Sequence, residues 1–439
     1  MVTLIQRKAL SLYTLYYLLK RGSTLKKAMK DPRAWIPAQN REIRNFVKYV
    51  YNIPFYRKRF DSANVKPADI KTREDFKKLP PLTKEEYREW LLEETKDKSK
   101  FKHWMYRQTT GSSGTPLDLY SLPSDRAAEI ANLFRCAILQ EKGFNPFFSR
   151  VFSTMAPKPA PRRRFMFPYN GKLSSVSPPS ELVAGYNAAR PDFYYGNKTA
   201  VLSIARWALD HKIPLHKPLC VGSISEALDD VARATIGRAF GEDKLFDIYG
   251  CAETGNFAVD RPSEPNKHTI WNDTHVVNLL NESPVEGRQG VYVGQLILTS
   301  LAHRGFPLVN YLVGDTVELT LEEGVPYITK IVGRTNDKIK NSDGSSFVWM
   351  HVNRVMFGLT DVAQFRVIQK SYSDLVFVLA ARNMSDERKS EIENTIRAKA
   401  ADVFGAPDVL NGKKILVEWK DEIPPDPTGK IRILISEVE

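Results

Sequence analysis

Apolar positions along this chain change their spacing three times, and each change predicts a different kind of element. Over residues 4–30, leucines and tyrosines recur at helical spacing with lysines around the ends, which predicts one or two amphipathic helices. Helical spacing returns over residues 38–51, behind Pro37, and over 84–94, inside a polar, lysine-rich stretch punctuated by Pro67, Pro80 and Pro81. From residue 124 onward, helical segments (124–139, 199–212, 225–240) alternate with short apolar runs (151–155, 219–222, 245–249). That alternation predicts a largely parallel sheet with helices on its faces. Between 289 and 332 the helical period disappears. The runs 294–299, 307–311, 316–320 and 326–332 predict strands of a small barrel or twisted sheet. Past a polar stretch that ends at Ser346, strands at 365–369, 375–380 and 414–419 and a charged helix at 385–404 predict a separate small domain.

The expectation is an α/β protein. Residues 1–36 form a basic amphipathic segment, residues 37–336 a large domain of mainly parallel sheets flanked by helices plus a small β-barrel, and residues 337–439 a small α+β domain. A chain of 439 residues is too long for one core, and 42% hydrophobic residues suffice to bury one in each domain.

Charge sharpens this picture through its location. Residues 1–50 hold eleven Lys or Arg against Asp31 and Glu42, which is nine of the net +13. A nucleic-acid footprint spreads over a folded face with interleaved aromatics, so nucleic acid is not an expected partner. An anionic membrane surface fits a basic amphipathic arm, and docking of that arm on the protein's own domain fits it equally. No apolar run approaches the length of a spanning helix. The apolar run 9–19 is followed by Lys20-Arg21 where a signal peptide needs small residues. Three scattered cysteines (Cys136, Cys220, Cys251) predict a reducing, cytoplasmic setting without disulfides, and the seven histidines show no metal-ligand spacing.

The densest candidate chemistry is Tyr106-Arg-Gln-Thr-Thr-Gly-Ser-Ser-Gly-Thr-Pro116. Thr109, Thr110, Ser112, Ser113 and Thr115 supply hydroxyls, while Gly111 and Gly114 allow successive N–H groups to point into one concavity, so a phosphate chain can be cradled there. Composition alone also allows a Ser/Gly linker. The P-loop pattern is excluded, because no Lys follows Gly114. Four further segments follow in order: Asp247-Ile-Tyr-Gly-Cys-Ala-Glu253, Tyr311-Leu-Val-Gly-Asp315, Gly333-Arg-Thr-Asn-Asp-Lys-Ile-Lys340 and Pro424-Pro-Asp-Pro-Thr-Gly-Lys430.

Taken together, these five segments resemble the core motifs of the adenylate-forming superfamily of acyl-CoA synthetases. The resemblance is to the phenylacetate–CoA ligase branch and the related capsular-polysaccharide-type ligases, over roughly residues 35 to 435. It implies ATP-dependent formation of an acyl-adenylate from a carboxylic acid, with coenzyme A as acceptor. An amine or amino sugar in surface-polysaccharide assembly is the alternative acceptor, and a non-catalytic nucleotide-binding or membrane-recruited module is the alternative class. By the same resemblance, residues Thr109 to Thr115 hold the β- and γ-phosphates of ATP, and Glu253 is catalytic and holds Mg²⁺. Gly222, Ser223, Tyr249 and Gly250 surround the adenine, Asp315 accepts from the ribose hydroxyls, and Arg334 supports the ribose or phosphate side. Asn336 and Asp337 form the hinge of a C-terminal domain that the resemblance implies is mobile, and Lys430 is the catalytic cation. Thr115, Ala252 and Asn336 depart from residues common in the superfamily, and residues 342–356 lack the glycine-rich pattern that contacts the pantetheine arm. Only Cys251 and His268 remain of a Cys/His cluster found in some members, so no zinc site is expected.

Overall fold

The computed structural model describes residues 4–109, 117–156, 169–334, 338–359, 361–362, 364–381, 384–405, 412–424 and 431–438. The chain falls into two compact units, each assembled from separated stretches: Met1–Ser149, Arg163–Tyr169 and Phe246–Lys330 in the first, and Arg150–Arg162, Asn170–Leu245 and Ile331–Glu439 in the second.

The first unit opens with one continuous helix, Leu4–Lys30, followed by the helix Trp35–Val50. Pro37 therefore lies in the first turn rather than at the start, where its missing N–H costs no intrahelical bond. The helix Lys84–Glu94 has the predicted bounds, and its cap shows why. Thr83 Oγ1 accepts from Glu86 N at 3.1 Å while Glu86 Oε2 accepts from Thr83 N at 2.8 Å, a reciprocal capping box. The helices Trp35–Val50, Pro54–Ser62 and Lys84–Glu94 bury Phe46, Val47, Val50, Tyr56, Phe60, Tyr87 and Leu91 in one core with Phe306, Leu308 and Tyr311.

The first unit's strands run antiparallel in the order His275–Pro284, Val291–Ser300, Tyr311–Glu322, Val325–Arg334, Glu264–Ile270, Gly255–Arg261, Leu245–Cys251. The run at 307–311 is a correction to the expectation from sequence: the strand begins only at Tyr311. Pro307 has no N–H to give a ladder, and Asn310 sits at φ +52°. Asn310 instead donates its side-chain amide to Phe76 O (2.6 Å) and Leu79 O (2.9 Å), holding the Pro80-Pro81-Leu82 segment against the strand start.

In the second unit, Val151–Ala156, Phe193–Asn197 and Cys220–Ile224 pair in parallel, with Tyr169–Ser174 alongside. Helices Pro179–Ala189, Lys198–Asp210 and Asp230–Phe240 pack against them through Leu182, Tyr186, Val201, Ile204, Ile236 and Phe240. The third of these helices starts five residues later than its apolar pattern suggests. Ser225 takes φ +74°, which no helix tolerates, and Asp229 caps the true start by accepting from Ala232 N at 2.9 Å.

The C-terminal part of the same unit has a sheet in the order Lys414–Lys420, Asp374–Ala380, Gln364–Gln369, Leu434–Ser436, covered by helices Trp349–Met356 and Asp386–Phe404. Ile392, Ile396, Ala400 and Phe404 form the buried stripe of the long helix. Fully buried Gln369 bonds both Lys340 N (2.8 Å) and Lys340 O (2.7 Å), tying the strand Lys338–Lys340 to that sheet.

Candidate nucleotide and acid-activation site

Two short strands flank the hydroxyl-rich segment. Met105–Gln108 pairs antiparallel with Asp118–Ser121, Gln108 standing opposite Asp118. Thr109 closes the neck: its N–H donates to Leu117 O at 2.9 Å, and its Oγ1 accepts from Leu117 N at 2.8 Å. The predicted phosphate-binding residues Thr110, Gly111, Ser112, Ser113, Gly114 and Thr115 lie outside the described residues.

Two residues before Thr109 is a cation that the sequence reading passed over. Arg107 forms two hydrogen bonds with Glu129, Nη1 to Oε2 at 2.5 Å and Nη2 to Oε1 at 2.7 Å. Glu129 is also bonded by Arg126, and its Oε1 meets His303 Nε2 at 3.1 Å, while His303 Nδ1 lies 2.5 Å from Ser300 Oγ. Burial would raise the Glu129 carboxyl, but the two guanidinium groups overcome it and hold that carboxyl well below the usual carboxylate range. Burial likewise disfavours the charged Arg107, and the Glu129 carboxylate more than offsets it, so Arg107 stays cationic.

Two tyrosine-to-carboxylate bonds cross in this unit. Tyr249, on the strand Leu245–Cys251, donates its phenol to Asp315 Oδ2 at 2.5 Å, and Asp315 belongs to the strand Tyr311–Glu322. Tyr311, which opens that second strand, donates its phenol to Glu253 Oε1 at 3.0 Å, just past the end of the first. Each segment thus supplies a phenol to the carboxylate of the other. In both, the tyrosine precedes its own acid by four residues, a repeated spacing that was the available signal. Burial first, and the Glu253 charge second, push the Tyr311 phenol far up, so it stays a donor.

Backbone shape keeps this crossing tight. The pairing of Leu245–Cys251 with Gly255–Arg261 shifts register between Tyr249 and Gly250, and a Cβ on Gly250 would come within 2.6 Å of Gly255 O. Gly255 itself takes φ +75°, and a Cβ there would meet Glu129 Cγ at 2.7 Å. The Tyr249 ring packs against Phe257, centroids 4.8 Å apart.

Structure brings together four of the predicted site residues in the first unit: Tyr249, Gly250, Glu253 and Asp315. Gly222 and Ser223 lie in the second unit on the buried strand Cys220–Ile224, opposite Tyr195 and Gly196. Ser223 Oγ is buried with no hydrogen-bond partner among the described residues. Arg334 ends the strand Val325–Arg334. Asn336, Asp337 and Lys430 lie outside the described residues. Ile431, which follows Lys430, donates its backbone N–H to Glu226 Oε1 at 3.3 Å.

As a donor set, Glu253 offers one hard carboxylate that Tyr311 orients, which suits Mg²⁺, an ion that keeps waters and takes its other ligands from phosphate. Among the described residues no group of three or more His, Cys, Asp or Glu can hold a metal ion. His268 is engaged elsewhere, its Nε2 3.1 Å from Asp247 Oδ2. Two of the cysteines are disfavoured as thiolates: burial pushes the Cys136 thiol up to about 12, and burial together with the Glu253 charge raises Cys251. Phe193 and Tyr194, candidate pocket aromatics by sequence, are fully buried core residues of their strand.

This fold is similar to that of solved adenylate-forming ligases. The chain superposes on 2-hydroxyisobutyryl-CoA ligase, solved in the postadenylation state with 2-HIB-AMP, with a TM-score of 0.72 and 16% identity, over 91% of this chain and 89% of that one. It matches the amide bond synthetase McbA of Marinactinospora thermotolerans with a TM-score of 0.50 and 16% identity, over 74% of this chain and 67% of that one. Protein CapK of Staphylococcus aureus is 24% identical over 437 residues, covering 94% of this chain and 92% of that protein. No protein-family model matches the chain.

Proposed function

We propose that this protein is an AMP-forming ligase that activates a carboxylic acid as an acyl-adenylate and passes the acyl group to coenzyme A. The observation that carries this reading is the crossed pair Tyr249–Asp315 and Tyr311–Glu253, which sets two carboxylates of different roles on neighbouring segments. The fold shared with 2-hydroxyisobutyryl-CoA ligase supports it.

In the first step a carboxylate oxygen attacks the α-phosphorus of ATP, the bond from that phosphorus to the β-bridging oxygen breaks, and pyrophosphate leaves. Two anions approach each other, so the site must supply positive charge and donors where charge develops. The loop from Thr109 to Thr115 (Thr109, Thr110, Gly111, Ser112, Ser113, Gly114, Thr115) cradles the β- and γ-phosphates, and Lys430 reaches the oxygen between acid and α-phosphate. Glu253 holds Mg²⁺, which neutralises charge on the phosphate oxygens. Asp315 accepts from the ribose hydroxyls, Tyr249, Gly250, Gly222 and Ser223 line the adenine, and Arg334 supports the ribose or phosphate side. In the second step a thiolate attacks the acyl carbon and AMP leaves.

The same reading divides the chain at 1–36, 37–336 and 337–439, with Asn336 and Asp337 as the hinge on which the last part moves between steps. It places the enzyme in the cytoplasm. Pyrophosphate release against a panel of carboxylic acids tests the activity. Lys430→Ala should abolish it while thioester formation from preformed acyl-adenylate survives; equal loss of both halves removes Lys430 from its role.

A second reading keeps the adenylate and changes the acceptor to an amine or amino sugar. Similarity to CapK and to an amide synthetase favours it, as does the missing pantetheine-contact pattern in residues 342–356. Adding coenzyme A or amines in turn to the same assay separates the two. A non-catalytic module would release no pyrophosphate with any acid.

A further inference from the structure

The N-terminal helix Leu4–Lys30 settles on its own unit with an unexpected face inward. It lies along the helix Pro123–Leu139 and buries Ser11, Thr14, Leu18, Arg21, Leu25 and Ala28, a stripe in which only two residues are large and apolar. The opposite face carries the larger apolar side chains: Leu12 is 58% exposed, Tyr16 53%, Leu19 67% and Tyr13 45%. Leu12, Tyr16 and Leu19 follow i, i+4, i+7 spacing, so they form one continuous strip.

Rotation of the helix cannot hide that strip. Arg21 is buried on the docked side, bonds Asp273 O through Nη1 and pairs with Asp273 Oδ2 at 3.4 Å and with Glu42 Oε2 at 3.8 Å. Its guanidinium also sits 5.5 Å from the Tyr17 ring centroid. Turning the leucines inward would break this buried charge cluster, which is strongly unfavourable.

On the helix itself every charged residue is basic. Lys8, Lys20, Lys26, Lys27 and Lys30 are all exposed, and the helix contains no Asp or Glu. The helix is not apolar enough to span a bilayer, and among the described residues no helix is. An apolar and aromatic strip ringed by lysines is the complement of an interface whose headgroups are anionic and whose acyl chains begin a few ångströms below.

We infer that the outward face of Leu4–Lys30 docks the protein on an anionic lipid surface, Leu12, Tyr13, Tyr16 and Leu19 entering the headgroup region and the lysines contacting phosphates. Both alternatives raised by the sequence then hold at once: the helix belongs to its own unit and presents a membrane face. The inference is independent of the ligase reading.

The test is co-sedimentation of the full chain with vesicles of phosphatidylglycerol and phosphatidylcholine in equal parts, against phosphatidylcholine alone. The expected result is binding to the anionic vesicles that falls steeply between 0.1 and 0.5 M salt, on the order of the change in Debye screening. The variant K26Q/K27Q/K30Q should bind about 100-fold more weakly, at about one kcal/mol per lysine. The variant L12S/Y16S/L19S should lose binding to the anionic vesicles. Both variants change exposed side chains only, and pyrophosphate release measured alongside should be unaltered. Failure of the full chain to bind, or equal binding by L12S/Y16S/L19S, overturns the inference. So does a wild-type dimer that this triple variant converts to monomer without vesicle binding, which would assign the strip to a second copy.

Discussion

Glu129 and Glu253 stand close together in the first unit and are treated in opposite ways. Glu129 is buried beneath Gly255 and held by Arg107, Arg126 and His303. Glu253, two residues before that glycine, is half-buried and its carboxylate accepts from one neutral phenol among the described residues. A carboxylate already neutralised by two guanidinium groups has no capacity left for a metal ion. One oriented by a phenol keeps its full charge. Proximity to the site thus does not assign a role; the charge balance around each acid does.

Removing Glu129 should have the largest effect. Glu129→Gln leaves Arg107 and Arg126 without their buried counter-ion and should cost about 3–5 kcal/mol in urea unfolding. Glu253→Gln preserves an acceptor for Tyr311, so its unfolding midpoint should stay near that of the wild type. Pyrophosphate release, however, should fall about 10²–10³-fold, as for loss of one transition-state charge contact. If both variants unfold alike, the distinction between the two acids is wrong.

Acid pH offers a smaller and graded version of the first test. The Glu129 carboxyl is depressed in the folded state, so its stabilisation is present above the unfolded value of about 4.3 and is lost as pH falls through the folded one. Wild-type stability should decline with acid across that window, and Glu129→Gln should decline less. Smallest of all, Tyr311→Phe removes one phenol bond to a carboxylate and should cost about 1–3 kcal/mol. An unchanged rate and midpoint in that variant would separate Tyr311 from the orientation of Glu253.

How much of this was legible depended on sequence distance. The helix Lys84–Glu94 was readable because its capping residues lie three positions apart, and Asp386–Phe404 because its apolar stripe repeats every turn. Tyr249, Glu253 and Asp315 stood out as residues, but their crossed bonds span 66 and 58 positions, and periodicity carries no information over such separations. Glu129 was invisible as a partner of Arg107, since a helical acid with two arginines nearby reads as an ordinary solvated face. For the N-terminal helix the pattern gave amphipathicity, and only the buried Arg21 decides which face turns outward.

Thiol burial has a practical outcome for anyone measuring the reaction. Cys136 and Cys220 are fully enclosed and Cys251 is half-buried, so an aromatic disulfide reagent has at most one thiol to reach in the native chain. Free coenzyme A left in samples withdrawn from the reaction can then be counted by colour, against a background of no more than one enzyme sulfur per chain.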